Sequence, residues 1–277
     1  MLFQKIGAQG HYGKPMQGIY AATPTGTLLG STNERDAKVV AETLRKSLAK
    51  WEAMDKKDRL MAKTPAKARS GPGALYPEEG LVLQVFSRDL PRPDGGEKRG
   101  YWVGAWNSDY AWFTKEEASS MIPPLREPGA KQAVPEKLVR RIARYHLVDN
   151  VRGETPMYLN EHVKRAEMTF VVEKVDGDQL RLRIEGAIRI EDPTKGVERG
   201  IEARILGRAT YDLTQTRFAT FDLVAAGPRW GVGSARGEDP GPAPMGVAFR
   251  MAPTREGPDR VPPAYVISPQ GAKYFSP

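Results

Sequence analysis

Alternating apolar and polar residues give the second half of the chain its most regular pattern. Apolar side chains occupy every second position over residues 168–172 and again over 180–184, with an Asp176-Gly177 turn between the two runs. Neighbouring side chains of a β-strand lie on opposite faces. This period of two therefore predicts an antiparallel hairpin with one buried and one solvated face.

More strands are predicted after this hairpin. Residues 201–213 and 217–227 predict a second antiparallel pair, and residues 246–253 predict a last strand. Gly186 and Gly207 fall inside predicted strands, where glycine is typical of a bend or a bulge. The 28 glycines and 23 prolines of the chain also favour a fold with many turns.

Helices are predicted before the sheet. Thr114 as N-cap and Glu117 as its capping-box partner predict a short helix. Residues 136–150 predict a longer helix in which Leu138 and Ile142 share one face. Helices grouped before long antiparallel strands indicate an α+β protein, with a domain built on a curved antiparallel β-sheet or half-open barrel.

A smaller unit is predicted at the N-terminus. Two short strands, at 19–22 and 27–29, lie around a Pro-Thr-Gly turn, and Asn33 or Asp36 caps the amphipathic helix that follows. This hairpin and helix resemble the C-terminal part of a thioredoxin-like domain over residues 15–53. The upstream strand of that family and its CxxC motif are missing from the sequence.

The sequence contains no cysteine. This removes disulfides, thiolate metal sites and every mechanism that needs a cysteine nucleophile. The thioredoxin-like resemblance therefore implies a relation of fold and excludes thiol redox chemistry.

A wider resemblance supports the order of the regions. Segments of the second half are similar to uncharacterised bacterial proteins with a thioredoxin-like N-terminal part, a similarity that implies no activity; these segments are 145–156, 199–213, 221–231 and 241–249. The predicted regions are a hairpin and helix at 1–53, a basic linker rich in Lys, Pro and Gly at 54–75, an α+β domain at 76–252 and a Pro-rich extended tail at 253–277.

A dense aromatic stretch is the first candidate binding site. Aromatic rings anchor partners and form platforms for sugars, but they also pack between domains, and these alternatives stay open. A second candidate is Arg152, which follows the longer helix and either fixes a turn or binds a carboxylate or phosphate. The candidate residues for a ligand or an interface are Trp102, Trp106, Asn107, Asp109, Tyr110, Trp112 and Arg152.

Two of the three histidines suggest a metal site. His146, His162 and Glu161 could hold a divalent metal if the intervening loop folds back, although their spacing matches no standard site. In the structural alternative, His146 is a hydrogen-bonded core residue and His162 lies at the surface.

The chain is basic, with 42 Lys plus Arg, 34 Asp plus Glu and a net charge of +8. Arg140, Arg141 and Arg144 on one predicted helix could contact phosphates. Acidic residues are interspersed and no nucleic-acid motif occurs, so we do not expect a nucleic-acid partner. The basic linker leaves peripheral contact with an anionic surface as an alternative to a solvated connector.

The sequence does not indicate in which cellular compartment the protein lies. No apolar run reaches the ~20 residues of a transmembrane helix, so we expect no transmembrane segment. The N-terminal residues lack the apolar core of a signal peptide. Both a cytoplasmic protein and a processed extracytoplasmic form fit these features.

Motifs of common enzymes are missing from the sequence. It has no GxGxxG between a strand and a helix, no GxxxxGK[ST], no GxSxG and no HExxH. We therefore predict a non-catalytic binding or assembly protein that contacts another protein, as an accessory subunit of a larger complex. Two alternatives stay open. One is a metal-dependent enzyme or metalloprotein that uses His146 and His162, and the other is a carbohydrate or anionic-ligand binder built on Trp102, Trp106 and Trp112.

Overall fold

The structure of the protein is a computed structural model. It describes residues 6, 7, 9, 17–59, 72–92, 106–151, 155–196, 198–231, 241–254, 259–266, 274 and 275. Two compact units divide the chain, one formed by residues 1–68 and the other by residues 69–277.

The first unit contains a hairpin and a helix, as predicted. Strands β1 (Ile19–Ala22) and β2 (Leu28–Thr32) pair antiparallel and are followed by helix α1 (Ala37–Ala53). The Asp36 side chain accepts hydrogen bonds from the first free N–H groups of α1 and so caps it. A single turn of helix, α2 (Lys56–Arg59), lies at the start of the predicted linker.

The second unit is built on an eight-stranded sheet whose neighbouring strands all pair antiparallel, in the order β4-β3-β10-β9-β8-β7-β6-β5. The sheet is open, with β4 and β5 at its two edges. This confirms the α+β class. The strands are β3 (Leu81–Asp89), β4 (Trp106–Phe113), β5 (Lys131–Ala133), β6 (Val163–Asp176), β7 (Gln179–Asp192), β8 (Arg199–Asp212), β9 (Arg217–Gly231) and β10 (Ala243–Met251).

One face of the sheet is packed, and we call it the inner face. Helices α3 (Lys115–Ser119) and α4 (Glu136–His146) belong to this unit, and Leu138 and Ile142 of α4 join the core formed by inner side chains such as Ile184, Ile205 and Leu223. The predicted capping box between Thr114 and Glu117 is present at α3. Within the described residues, no helix is both long and apolar enough to cross a membrane.

The pairing register keeps the two faces of the sheet separate. Strands β7 and β8 pair without a shift from Gln179 opposite Asp212 to Asp192 opposite Arg199. The turn before β7 contains Gly177 with a φ of 58°, which glycine adopts without steric cost. Long strands in one continuous register place all of their apolar inner residues in the same core.

The tail packs more tightly than its Pro-rich sequence predicts. Val266 and Tyr274 are buried in a second, smaller core cluster with Trp112 and Tyr145, and Asp259 is also buried. Apolar and aromatic side chains in the tail gain free energy by leaving water, and this explains why the described tail residues lie against the domain.

Gly186 and Gly207 allow close approach of neighbouring strands. The register shifts of the long strands lie elsewhere, at 163/165, 172/174 and 210/211, so a bulge at either glycine is a wrong prediction. A Cβ added at Gly186 would lie 2.2 Å from the Glu167 carbonyl oxygen. At Gly207 it would lie 2.6 Å from the carbonyl oxygen of Asp222.

We predict that Gly186→Ala lowers the free energy of unfolding by about 1–3 kcal/mol, because the added methyl group forces β6 and β7 apart. Urea unfolding followed by circular dichroism measures this change. Gly73→Ala is the control, because a Cβ at Gly73 has no atom within 4 Å. Equal stabilities of the two variants would contradict the close-approach explanation.

Candidate functional site

The tryptophans of the predicted aromatic site that lie on β4 differ in their exposure to solvent. Trp106 is 65% exposed, whereas Trp112 is fully buried and packs edge-on against Tyr76 at a centroid distance of 5.3 Å. The two tryptophans are six residues apart, which corresponds to about 20 Å along a strand. They therefore do not form one stacking platform, and Trp102 lies outside the described residues.

The polar members of that set hold neighbouring segments in place. An Asp109 carboxylate oxygen accepts a hydrogen bond from the backbone N–H of Ala264 at 2.8 Å. The Tyr110 hydroxyl donates to Asp259 at 2.9 Å, and burial together with this carboxylate raises the pKa of Tyr110. These contacts join β4 to the segment 259–266.

The loop after α4 is also closed by hydrogen bonds. Asn150 accepts from the backbone N–H of Thr155 at 3.2 Å, and the Thr155 hydroxyl donates to the Asp149 carbonyl at 2.6 Å. Asn107 donates to the carbonyl of Asn150 at 3.3 Å. Arg152, the candidate for fixing a turn or binding a carboxylate or phosphate, lies outside the described residues.

His146 is buried between a tyrosine hydroxyl and a carboxylate. Its Nε2 lies 2.9 Å from the Tyr274 hydroxyl, and its Nδ1 lies 3.5 Å from Asp109 Oδ2 without the geometry of a hydrogen bond. The Trp112 backbone N–H donates to the same hydroxyl at 3.1 Å. Burial raises the pKa of Tyr274 far above its usual value, which keeps the hydroxyl protonated. His146 is thus a hydrogen-bonded core residue.

His162 has different partners. Its Nδ1 accepts a hydrogen bond from the Leu159 backbone N–H at 3.3 Å, and its Nε2 lies 3.6 Å from Asp192 Oδ1. His162 is buried, not at the surface as expected, and Glu161 is exposed. Among the described residues, no group of three or more His, Asp or Glu side chains could hold a metal ion. The predicted divalent metal site therefore gains no support from where these residues lie.

The basic helix α4 does not present its arginines to a phosphate backbone. The Arg141 guanidinium is fully buried and donates to both carboxylate oxygens of Glu117, at 2.9 and 2.6 Å. It also donates to the carbonyls of Trp112 and Tyr274. Arg144 is buried and donates to the Tyr158 carbonyl at 3.1 Å. Two of the three arginines considered for phosphate contact are thus internal.

An apolar surface lies on the outer face of the sheet, opposite the core. Phe86, Ala248, Val224 and Leu206 are direct partners across β3, β10, β9 and β8, so their side chains form one row on one face. Phe86, Val224 and Leu206 are exposed, Leu206 to 67%. Trp106 lies beside Phe86, with ring centroids 6.4 Å apart. We call these five residues the outer strip.

A groove of about 540 Å³ lies at the β8 end of the outer strip. Leu206 and Val224 line it, together with the charged residues Arg183, Arg208 and Asp222. Large exposed apolar surfaces are uncommon on monomeric proteins and mark sites of interaction. The outer strip is therefore the candidate functional site.

Arginines lie on both sides of the outer strip. Arg88 and Arg204 belong to the adjacent row on one side, and Arg250 and Arg208 to the adjacent row on the other, where Asp222 lies between them. All four arginines are exposed, and none of their side chains makes an ion pair or hydrogen bond within the part of the chain that the structure describes.

The neighbouring strand β7 shows the opposite arrangement. Arg183 pairs with Glu185 and with Glu173, and Arg189 pairs with Glu191 at 2.6 Å and with Glu202 at 3.2 Å. The arginines beside the outer strip thus lack the ion pairs that the arginines of β7 have among the described residues.

A separate cavity of about 340 Å³ lies near α3 and the turn between β8 and β9. Leu81 and Phe218 line it together with Lys115, Asp212 and Arg217. Its size is within the range of small-molecule sites. Charges of both signs line the cavity, so it indicates no class of ligand.

Sequence reasoning missed most of the outer strip, although a signal is present. Apolar pairs interrupt the alternation of three strands, because an outer apolar residue follows an inner one at Val85-Phe86, Ile205-Leu206 and Leu223-Val224. Only the pairing register shows that the second residue of each pair belongs to one row.

We predict that Glu117→Gln lowers the free energy of unfolding by about 3–5 kcal/mol, because it leaves the buried Arg141 charge without its partner. Urea denaturation measures the loss. Glu136→Gln is the matched control, since the Glu136–Arg140 pair is largely exposed and its removal is expected to cost less than about 1 kcal/mol. Similar losses in both variants would be inconsistent with a structural role for the buried pair.

The lowered pKa of Asp192 makes the stability of the folded chain depend on pH. Its burial favours a higher pKa, but hydrogen bonds from the Thr194 hydroxyl and N–H and from Arg199 outweigh burial and lower the pKa below 3.8. A lowered pKa adds stability above the unfolded-state pKa, and this stability is lost as pH falls through the folded-state pKa. We expect Asp192→Asn to be less stable than the natural chain at neutral pH, with a difference that shrinks below about pH 4.

Urea unfolding of both proteins at several pH values tests this expectation. Asp222→Asn is the control, because Asp222 is exposed and has no ion-pair partner among the described residues. A difference between Asp192→Asn and the natural chain that stays constant down to low pH would contradict the role of these hydrogen bonds.

Comparisons with known proteins found no relative of this chain. No protein-family model matches the sequence, no curated protein matches it and no solved structure matches its fold. The thioredoxin-like resemblance of the N-terminal unit and the resemblance to uncharacterised bacterial proteins therefore stay predictions.

Proposed function

We propose that the protein is a non-catalytic binding module that holds another protein on the outer face of its large sheet. The outer strip carries this proposal, because Phe86, Val224, Leu206 and Trp106 expose apolar surface across neighbouring strands. Burying such surface against a partner removes it from water, which is the main favourable term in protein association. Aromatic side chains are also enriched at the centres of interfaces.

The other predicted classes of ligand find less support. A carbohydrate platform built on Trp106 and Trp112 needs both rings at one surface, and Trp112 is fully buried. A metalloprotein needs converging ligands, and both nitrogens of His146 face Tyr274 and Asp109. An accessory subunit of a larger assembly needs only a stable scaffold with an exposed apolar surface.

A photo-crosslinking experiment tests this function. The photoreactive residue p-benzoylphenylalanine replaces Leu206 in the full chain, produced in the cells to which the protein is native. We expect light to give a discrete adduct with another protein, because Leu206 is the most exposed residue of the outer strip. The adduct is detected by gel shift and identified by mass spectrometry.

Leu125 provides the matched control, since it is 63% exposed, nearly the same as Leu206, and is not part of the outer strip. We expect no such adduct from position 125. Adding Val224→Asp to the chain labelled at 206 should remove the adduct, because a carboxylate is costly to bury in an apolar interface. The same adducts from both positions, or none from position 206, would refute the proposed function.

A further inference from the structure

We infer that the partner presents an amphipathic helix with an apolar stripe flanked on both sides by acidic side chains. This inference rests on the proposed function and identifies the chemistry of the partner. Its basis is the four arginines beside the outer strip, whose side chains are exposed and form no ion pair or hydrogen bond with the described residues.

The dimensions of the surface fit a helix. Phe86 and Leu206 lie three strand spacings apart, or about 14 Å, which is the length of a helix of about 10 residues. Each flanking row is two residues from the strip along the strands, so the two rows are about 14 Å apart. A helix with side chains is about 10–12 Å wide. A helix lying along the strip would therefore have arginines on both sides.

The arginines beside the outer strip favour a partner helix with acidic residues on both sides of its apolar stripe. Arg88 and Arg204 lie on one side, Arg208 and Arg250 lie on the other, and Asp222 is the single acid in these two rows between β3 and β8. A carboxylate on the partner can form a bidentate pair with a guanidinium. Complementary charges at the rim speed association and exclude wrong partners.

A second copy of the chain fits this surface poorly. A two-fold interface would place the same surface against itself, so the arginines of one copy would face those of the other. Single-stranded nucleic acid needs aromatic stacking surfaces for successive bases. The strip is aliphatic at Ala248, Val224 and Leu206, with aromatic rings only at its other end. An acidic protein helix satisfies both the apolar centre and the basic rims.

Two designed peptides test the inference on the full chain. Both are fluorescent helical peptides of about 14 residues with the same leucine stripe, one with Glu at the flanking positions and one with Lys. Fluorescence anisotropy measures their dissociation constants. We expect the Glu peptide to bind at least about tenfold more tightly than the Lys peptide, and added salt to reduce this difference.

Variants of the chain test whether the peptides bind at the outer strip. The double variant Arg204→Glu with Arg208→Glu should reverse the preference between the two peptides, and Leu206→Asp should weaken both. The control Arg126→Glu changes an exposed arginine away from the sheet and should leave both constants unchanged. Circular dichroism checks that each variant is folded, as expected for substitutions at exposed positions.

The outcomes separate this inference from the proposed function. Equal binding of both peptides, lost with Leu206→Asp, would overturn the acidic helix and leave the protein-binding function in place. Absence of peptide binding would also overturn the inference, whereas the proposed function depends on the adduct from position 206. Tighter binding to phosphatidylserine vesicles or to an oligo-dT strand than to the Glu peptide, with the same dependence on Arg204 and Arg208, would replace the helix by an anionic membrane or nucleic acid.

Discussion

The antiparallel register of the large sheet, which is continuous between β7 and β8, decides which residues meet water. Strands β7 and β8 pair over their whole length, and the ladder continues through β9 and β10 to β3. A slip of one residue would exchange the two faces of a strand, so that Ile205 would leave the core and Leu206 would enter it. The packed core and the outer strip are thus two results of one constraint. Because the inner face holds the register, the apolar residues of the outer face can be exposed without loss of the fold.

Two populations of arginine show how the protein uses its positive charge. Arg141 and Arg199 are buried, and each has a carboxylate partner and carbonyl acceptors, as a charge removed from water requires. Arg204 and Arg208 on the outer face remain hydrated and have no carboxylate partner among the described residues. The internal arginines join helix, sheet and tail into one structure, and the outer ones remain available to another molecule. Net charge alone cannot distinguish these populations.

Local patterns in the sequence predict the elements of the fold, whereas the site depends on pairing between distant strands. The Asp176-Gly177 hairpin, the Asp36 cap and the Thr114–Glu117 capping box depend on residues a few positions apart, and each is present. The outer strip joins Phe86 to Leu206 through β10 and β9, a connection that no local period contains. The same limit applies to Trp106 and Trp112, since alternation assigns both to one face, and only the packing of Tyr76 and the tail shows that one of them is buried.

An exposed apolar sheet face carries a risk of aggregation, and the arginines around the outer strip counter it. Proteins protect exposed strands with charged residues, and the edge strand β5 has only three residues and begins with Lys131. In the two rows beside the outer strip four arginines outnumber the single acid Asp222, so two copies of the chain repel each other across this surface. That repulsion is screened by salt and is replaced by attraction when the approaching surface is acidic. The charges that keep the protein from binding itself would therefore also favour an acidic partner, and partner selection and protection from aggregation would be two effects of the same four side chains.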